Sequence, residues 1–239
     1  MTTAAVISQR INSMDPGKLF GYKDLDLNST EFIAAAKAIQ RLKNKGVIKS
    51  LSPGFFYLPK NTVFGELAPG GSEIVYKYLF DGGDRIGYIT GMGLYNELKF
   101  TTQVSKIYRI AYFNRKISTT IGNAIIRSAR SYVPVTEKNY RSLQLLDVIK
   151  DFNKIPDMNR KGGLLLLTDY IKKAEKSQLM ELSKKYPPRV RAFLGAILEN
   201  IGYDKNELID LKNTINPLSS FNYGYKIDAL IPIKNWNIK

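Results

Sequence analysis

The chain has 239 residues, with 36 lysines and arginines against 21 aspartates and glutamates, a formal net charge of +15, and neither cysteine nor histidine. The two absences exclude disulfides, thiolate nucleophiles, Cys/His zinc sites and every catalytic set that needs an imidazole. A 44% apolar, 11% aromatic chain of this length builds at least one real core, and the basic excess points to a polyanion, nucleic acid first and an anionic membrane surface second.

Residues 3–14 carry Val6, Ile7, Ile11 and Met14 near helical spacing, and Pro16-Gly17 ends the helix they predict. No signal peptide is expected over Met1–Pro16, and the longest aliphatic run, Leu164–Leu167, is far too short to span a bilayer. The expected location is the cytoplasm. Leu19–Leu25 (LFGYKDL) has the length of a second short helix. Asn28 or Ser29 then caps a third, Glu31 standing at capping-box spacing from Asn28, and Gly46 stops it after Lys45.

At about 100° per residue this third helix has two faces. Phe32, Ala35, Ala38, Ile39 and Leu42 gather on the inner one; Thr30, Ile33, Lys37, Gln40, Arg41 and Asn44 gather on the outer. No acidic residue occurs from Phe32 through Gly65. A solvent face without one carboxylate suits a helix in a major groove, where Gln, Asn and Arg meet base edges and Lys meets phosphate. Val47–Leu51 and Phe55–Leu58 are β-prone and separated by the turn Ser52-Pro53-Gly54. Helix, short segment, long helix and hairpin follow the order of a winged helix-turn-helix, which makes Lys49, Ser50 and Ser52 candidate wing contacts. The expected fold is α+β, with this winged helix at residues 1–60, a mixed α/β unit at 61–135 and a mainly helical region at 136–239.

In the α/β unit, Ser72 is expected to cap a helix over Glu73–Phe80, closed by Asp81-Gly82-Gly83-Asp84. Arg85–Thr90 reads as a strand, Met92–Leu98 as a short helix, and Val104–Phe113 and Asn123–Ser131 as further strands. A second acid-free run, Leu98–Thr136, carries Arg109, Arg115, Lys116, Arg127 and Arg130 as a candidate secondary basic surface. The alternative reading is a charged sheet edge that discourages edge pairing. Further on, Arg141–Asn153, Gly163–Lys173, Lys176–Lys185 and Arg189–Ile201 read as helices. The tail after Asn216-Pro217 reads as strand-like, and Trp236, the only tryptophan, is expected to anchor it.

Ala38–Lys60 (AIQRLKNKGVIKSLSPGFFYLPK) resembles the winged-helix start of the AbiEi-like antitoxins of type IV toxin–antitoxin (abortive infection) systems. Gly87–Ser105, Lys184–Gly202 and Ile215–Lys239 resemble the Bacteroidetes-type branch of that family. The resemblance implies a cytoplasmic antitoxin that represses its own operon by binding double-stranded DNA at inverted repeats; on such a site two or more copies, as in a homodimer, are expected to act together. It also implies a nucleotidyltransferase-type toxin as functional partner, opposed without a stable direct complex, and an antitoxin region spanning residues 61–239.

Two alternatives stand beside a DNA-binding repressor. Asp84 followed by Glu97-x-Lys99 has the outline of a Mg²⁺ nuclease core, in which carboxylates hold the metal and lysine steadies the attacking water. That arrangement needs Glu97 on a strand, and the pattern here puts it at a helix end. Otherwise the winged helix is purely structural and the chain regulates by binding protein. No phosphate-binding glycine fingerprint, metal set or cofactor motif is present in the sequence, and a non-enzymatic binder is the leading expectation.

Overall fold

The computed structural model describes residues 3–63, 65–223 and 230–239. In chain order the first elements are α1 (Thr3–Asn12), β1 (Leu19–Gly21), a 3₁₀ turn over Tyr22–Leu25, another over Ser29–Glu31, α2 (Phe32–Asn44), β2 (Lys49–Ser52) and β3 (Phe55–Tyr57). The hairpin β4 (Lys60–Thr62) and β5 (Gly65–Leu67) follows, then α3 (Gly71–Tyr76), the two-residue strands β6 (Phe80–Asp81) and β7 (Asp84–Arg85), β8 (Gly87–Thr90) and α4 (Met92–Glu97). Next come β9 (Ile107–Tyr112), β10 (Ser118–Ile121) and β11 (Ala124–Arg130). The helices α5 (Tyr140–Asp151), α6 (Arg160–Lys173), α7 (Lys176–Ser183), α8 (Pro188–Asn200) and α9 (Lys205–Asn213) follow. The architecture is mixed α+β. It divides into two compact units, Met1–Tyr78 with Thr119–Ile126, and Leu79–Ser118 with Arg127–Lys239.

In the first unit, β1, β3 and β2 form an antiparallel sheet in that spatial order. Leu19–Leu25 is therefore strand plus 3₁₀ turn, where a helix is expected from its length. The segment is too short for the strand's period to register, and Leu19 and Phe20 are buried side by side, as pairing with Tyr57 and Phe56 requires. Ile7 and Ile11 from α1, Phe20, Leu25, Ala35, Ala38, Ile39, Leu42, Ile48 and Phe56 make one apolar cluster. Asn28 N–H donates to the Glu31 carboxylate at 3.0 Å, the expected capping contact, but it caps a 3₁₀ turn that precedes α2. Gly46, at φ +73°, ends α2 in a conformation that a Cβ would penalise.

Other boundaries move for local reasons. Gly70 precedes α3, so its first turn begins before Ser72, whose hydroxyl donates sideways to Glu73 at 3.0 Å instead of capping. α3 stops at Tyr76, and Phe80–Asp81 turns back through Gly82-Gly83 to pair with Asp84–Arg85. The β4–β5 hairpin, β10 and α9 lie outside the elements expected from the sequence.

The second unit holds its own core, in which Tyr88, Leu94 and Ala111 meet Leu146, Ile149, Leu167, Phe193 and Ile197. Within this unit β8 pairs with β9, Gly87–Thr90 running antiparallel to Arg109–Tyr112. α5 and α8 are buried along most of their lengths. Trp236 is buried, its indole N–H donating to Glu199 at 2.7 Å. Gly195 on α8 leaves the room, since a Cβ there would stand 2.2 Å from the indole. The strand-like tail falls partly on residues 224–229, outside the described residues; Phe221 and Ile238 form one parallel bridge.

Candidate nucleic-acid interface

Burial of one face of α2 decides what the other can offer. Ala35, Ala38, Ile39 and Leu42 point into the first unit's core, and Lys37, Gln40, Arg41 and Asn44 are exposed. Thr30 is exposed too, but on the 3₁₀ turn before the helix. Phe32, assigned to the inner face by its position on the wheel, is 50% exposed. It lies at the first helical residue, where the chain has not yet closed onto the core, and its ring leans on Tyr22 at 4.8 Å between centroids. Ile33 is 70% exposed. The Gln40 amide donates to Asn44 Oδ1 at 3.0 Å, so these two side chains hold each other one turn apart. Neither Lys37 nor Arg41 forms an ion pair among the described residues.

The hairpin after α2 has the expected strands and turn. Gly54 at φ +79° closes it, and a bulge between Ser50 and Ser52 lets the Ser50 hydroxyl donate to the Ser52 carbonyl at 3.1 Å. Lys49 and Ser50 are exposed, Ser52 half-buried. An ion pair changes the electrostatics of this hairpin. The Lys49 ammonium is paired with the Glu66 carboxylate of β5, and that hydrogen bond raises the lysine's pKa. Glu66 is the first acid after the long acid-free run, and its place opposite Lys49 depends on the β4–β5 hairpin, which periodicity does not reveal. Lys49 thus reaches a phosphate only by exchanging one partner for another, whereas Lys37 and Arg41 have no ion-pair partner among the described residues to give up.

The second basic stretch is assigned mainly to the other unit. Arg109 on β9, Arg115 and Lys116 in the following loop, and Arg127 and Arg130 on β11 are all exposed. Arg115 and Arg130 lie over the rings of Tyr112 and Tyr132, at 5.6 and 5.3 Å from the centroids. Guanidinium groups laid over tyrosines keep their charge and donors available while their stems are fixed.

The nuclease residues are arranged differently from what that chemistry needs. Glu97 is the last residue of α4 and exposed, and Lys99 follows at φ +65°, outside any strand. Among the described residues no group of three or more acidic side chains could hold a metal ion.

A buried carboxylate in the second unit was not anticipated from the sequence. Asp147 on α5 accepts from Thr90 Oγ1 at 2.7 Å, Lys150 Nζ at 2.6 Å and the Tyr88 hydroxyl at 3.1 Å. Burial raises its pKa, against the opposing pull of Lys150 and the two hydroxyls. Burial pulls the Lys150 pKa down, but the charge and hydrogen bond of Asp147 together with Asp151 and Tyr132 outweigh it, and the net direction is up. Tyr186 completes the group, its hydroxyl 3.4 Å from that of Tyr88. Helical spacing from Leu143 places Asp147 on the apolar side of α5, and a lone acid there is the signal that could have found it. With its donors satisfied, the cluster fastens α5 to the sheet.

No family model matches the chain, and no curated protein matches it. Among solved structures it is similar to the crystal structure of the RV2827C protein from Mycobacterium tuberculosis. The likeness covers 93% of this chain and 86% of that one, at a TM-score of 0.56 and 11% identity. At that identity the likeness is one of fold. It runs through both units, so the mixed α+β fold recurs in a chain of very different sequence. No helix among the described residues is long and apolar enough to cross a membrane.

Proposed function

We propose that this chain is a DNA-binding transcriptional repressor with an antitoxin role. The observation that carries the reading is the outward face of α2: Lys37, Gln40, Arg41 and Asn44 are exposed together, no carboxylate accompanies them, and neither cation is ion-paired among the described residues. The succession α1, β1, 3₁₀ turn, α2, β2, β3 around the sheet order β1-β3-β2 fits a winged helix-turn-helix, with α2 in the major groove and the β2–β3 hairpin as wing. Thr30, Lys37, Gln40, Arg41 and Asn44 dock in the groove, and Lys49, Ser50 and Ser52 lie along the backbone. Repression is steric: copies on an inverted repeat occupy the promoter and exclude polymerase.

The antitoxin role rests on the resemblance to AbiEi-like proteins. In that reading the region after residue 60 counteracts a nucleotidyltransferase-type toxin in the cytoplasm without binding it stably. The test has two parts. A labelled duplex from the region upstream of the chain's own gene is titrated by fluorescence anisotropy across a salt series. About six phosphate contacts give a slope of log K against log salt near −5; no binding at low salt rejects the repressor. Co-expression with a nucleotidyltransferase-type toxin tests the second part: restored growth is expected, and continued arrest rejects the antitoxin role.

A further inference from the structure

The outward face of α2 carries one side chain that phosphate attraction does not explain. Ile33 is 70% exposed, takes no part in the unit's apolar cluster, and stands in the first turn of the helix. Single exposed aliphatic residues are common, but this one has particular neighbours. At about 100° per residue, Asn44, Gln40 and Lys37 fall within about 40° of it and Arg41 within about 80°. Ile33 therefore sits inside the polar stripe, with an amide on either side of it and the two cations beyond Asn44. Phe32, next to it in the chain, is turned away onto Tyr22.

The floor of a major groove offers donors, acceptors and one kind of apolar group, the C5-methyl of thymine. A branched aliphatic side chain there has nothing to gain from an acceptor and leaves it without its water. Against a thymine methyl it removes two apolar surfaces from water at once. Recognition helices meet base edges with their N-terminal residues, and Ile33 is the second residue of α2. We infer that Ile33 is a specificity-determining residue that reads a thymine methyl in each half-site. Gln40 and Asn44, already joined by a hydrogen bond, lie further along the same stripe with amide groups suited to adenine. This inference rests on the repressor reading and adds a base preference to it.

The experiment begins with duplexes enriched by the full-length protein from a randomised library. In one enriched duplex each dT is replaced in turn by dU, which removes only the methyl, and affinities are measured by anisotropy at fixed salt. The wild type is expected to lose about fourfold at one position per half-site, the size set by burying a single methyl group. Ile33→Ala should bind the parent duplex correspondingly more weakly and be indifferent to dU at that position, while Ile33→Val keeps the sensitivity. Both substitutions are at an exposed position, and circular dichroism checks that the fold persists. Equal sensitivity to dU in the wild type and Ile33→Ala, or none in either, overturns the inference and leaves the repressor intact. Failure to enrich any duplex removes both.

Discussion

Replacing Lys37 and Arg41 together by alanine separates electrostatic docking from folding, because the two roles draw on different faces of α2. Both side chains are exposed and without an ion-pair partner among the described residues, and the core packing of the helix comes from Ala35, Ala38, Ile39 and Leu42. Stability should change by no more than about 0.5 kcal/mol, since exposed substitutions touch no packing and alanine favours the helix. Binding should change much more. Removing one phosphate-binding cation lowers the salt slope by about 0.9, so removing two lowers it by about 1.8. If instead one of the pair meets a base edge and the other a phosphate, the slope falls by about 0.9 and the combined cost is about 2 kcal/mol, roughly thirtyfold in affinity. Lys49→Ala supplies an internal comparison. Its ammonium is already held by Glu66, so its removal should lower the slope by clearly less than 0.9, and Glu66→Gln should strengthen binding by releasing the lysine. The assay is fluorescence anisotropy over a salt series, with urea unfolding of each variant alongside. A folded double variant with unchanged slope and affinity would refute the placement of α2 in the groove.

Three further outcomes concern the second unit. Asp147→Ala leaves the Lys150 ammonium and the Tyr88 and Thr90 hydroxyls without this acceptor, and should cost about 3–5 kcal/mol in urea unfolding; Asp147→Asn, which still accepts from the hydroxyls, should cost less, and equal stability of all three proteins would contradict the fastening role. Burial holds the protons of Tyr88, Tyr95 and Tyr186 far above the ordinary tyrosine range, and burial, opposed by Arg189, pushes Tyr223 up to about 12. The unfolded chain releases tyrosine protons near pH 10, so the folded state is the better proton binder above that pH. Stability from these groups is complete below about pH 10 and falls as pH rises, which phenolate absorbance read against alkaline unfolding will check; tyrosines that all ionise together at pH 10 before unfolding would be inconsistent with it. Gly195→Ala gains about 1 kcal/mol of helix propensity, yet its Cβ would stand 2.2 Å from Trp236. The indole must move, and the expected results are red-shifted emission from the only tryptophan and a lower Tm; unchanged emission would show that the indole has room to spare.

Where the sequence is readable, one period dominates over several turns. α2 declares both faces because four core positions and the polar stripe recur at helical spacing, and α5 and α8 do so through long apolar repeats. Short strands escape this reading: β1, β4, β5 and β10 have three or four residues each, too few for alternation to register. Their existence depends on pairing. α9 is legible after the fact: Asp204 and Glu207 form a capping box at its start, and Leu208 and Leu211 stand at helical spacing, but over only nine residues. In the candidate interface, exposure of Lys37, Gln40, Arg41 and Asn44 follows from the wheel. The Lys49–Glu66 pair does not, since it needs a hairpin that brings residues 17 apart together.

The division of the chain also bears on how the protein is made. The first unit is not one stretch of sequence: residues Thr119–Ile126 belong to it, and Gly122 there lies against Leu51 of β2. A ribosome releases Leu51 long before it releases Gly122, so the hairpin leaves the exit tunnel with one side waiting for a segment still to be translated. The unit carrying α2 is complete only when more than half of the chain has been synthesised. A fragment cut after residue 60 or 78 would hold the nascent form of this unit permanently, and a gene fusion that borrows only the N-terminal segment would transfer α2 without part of its support.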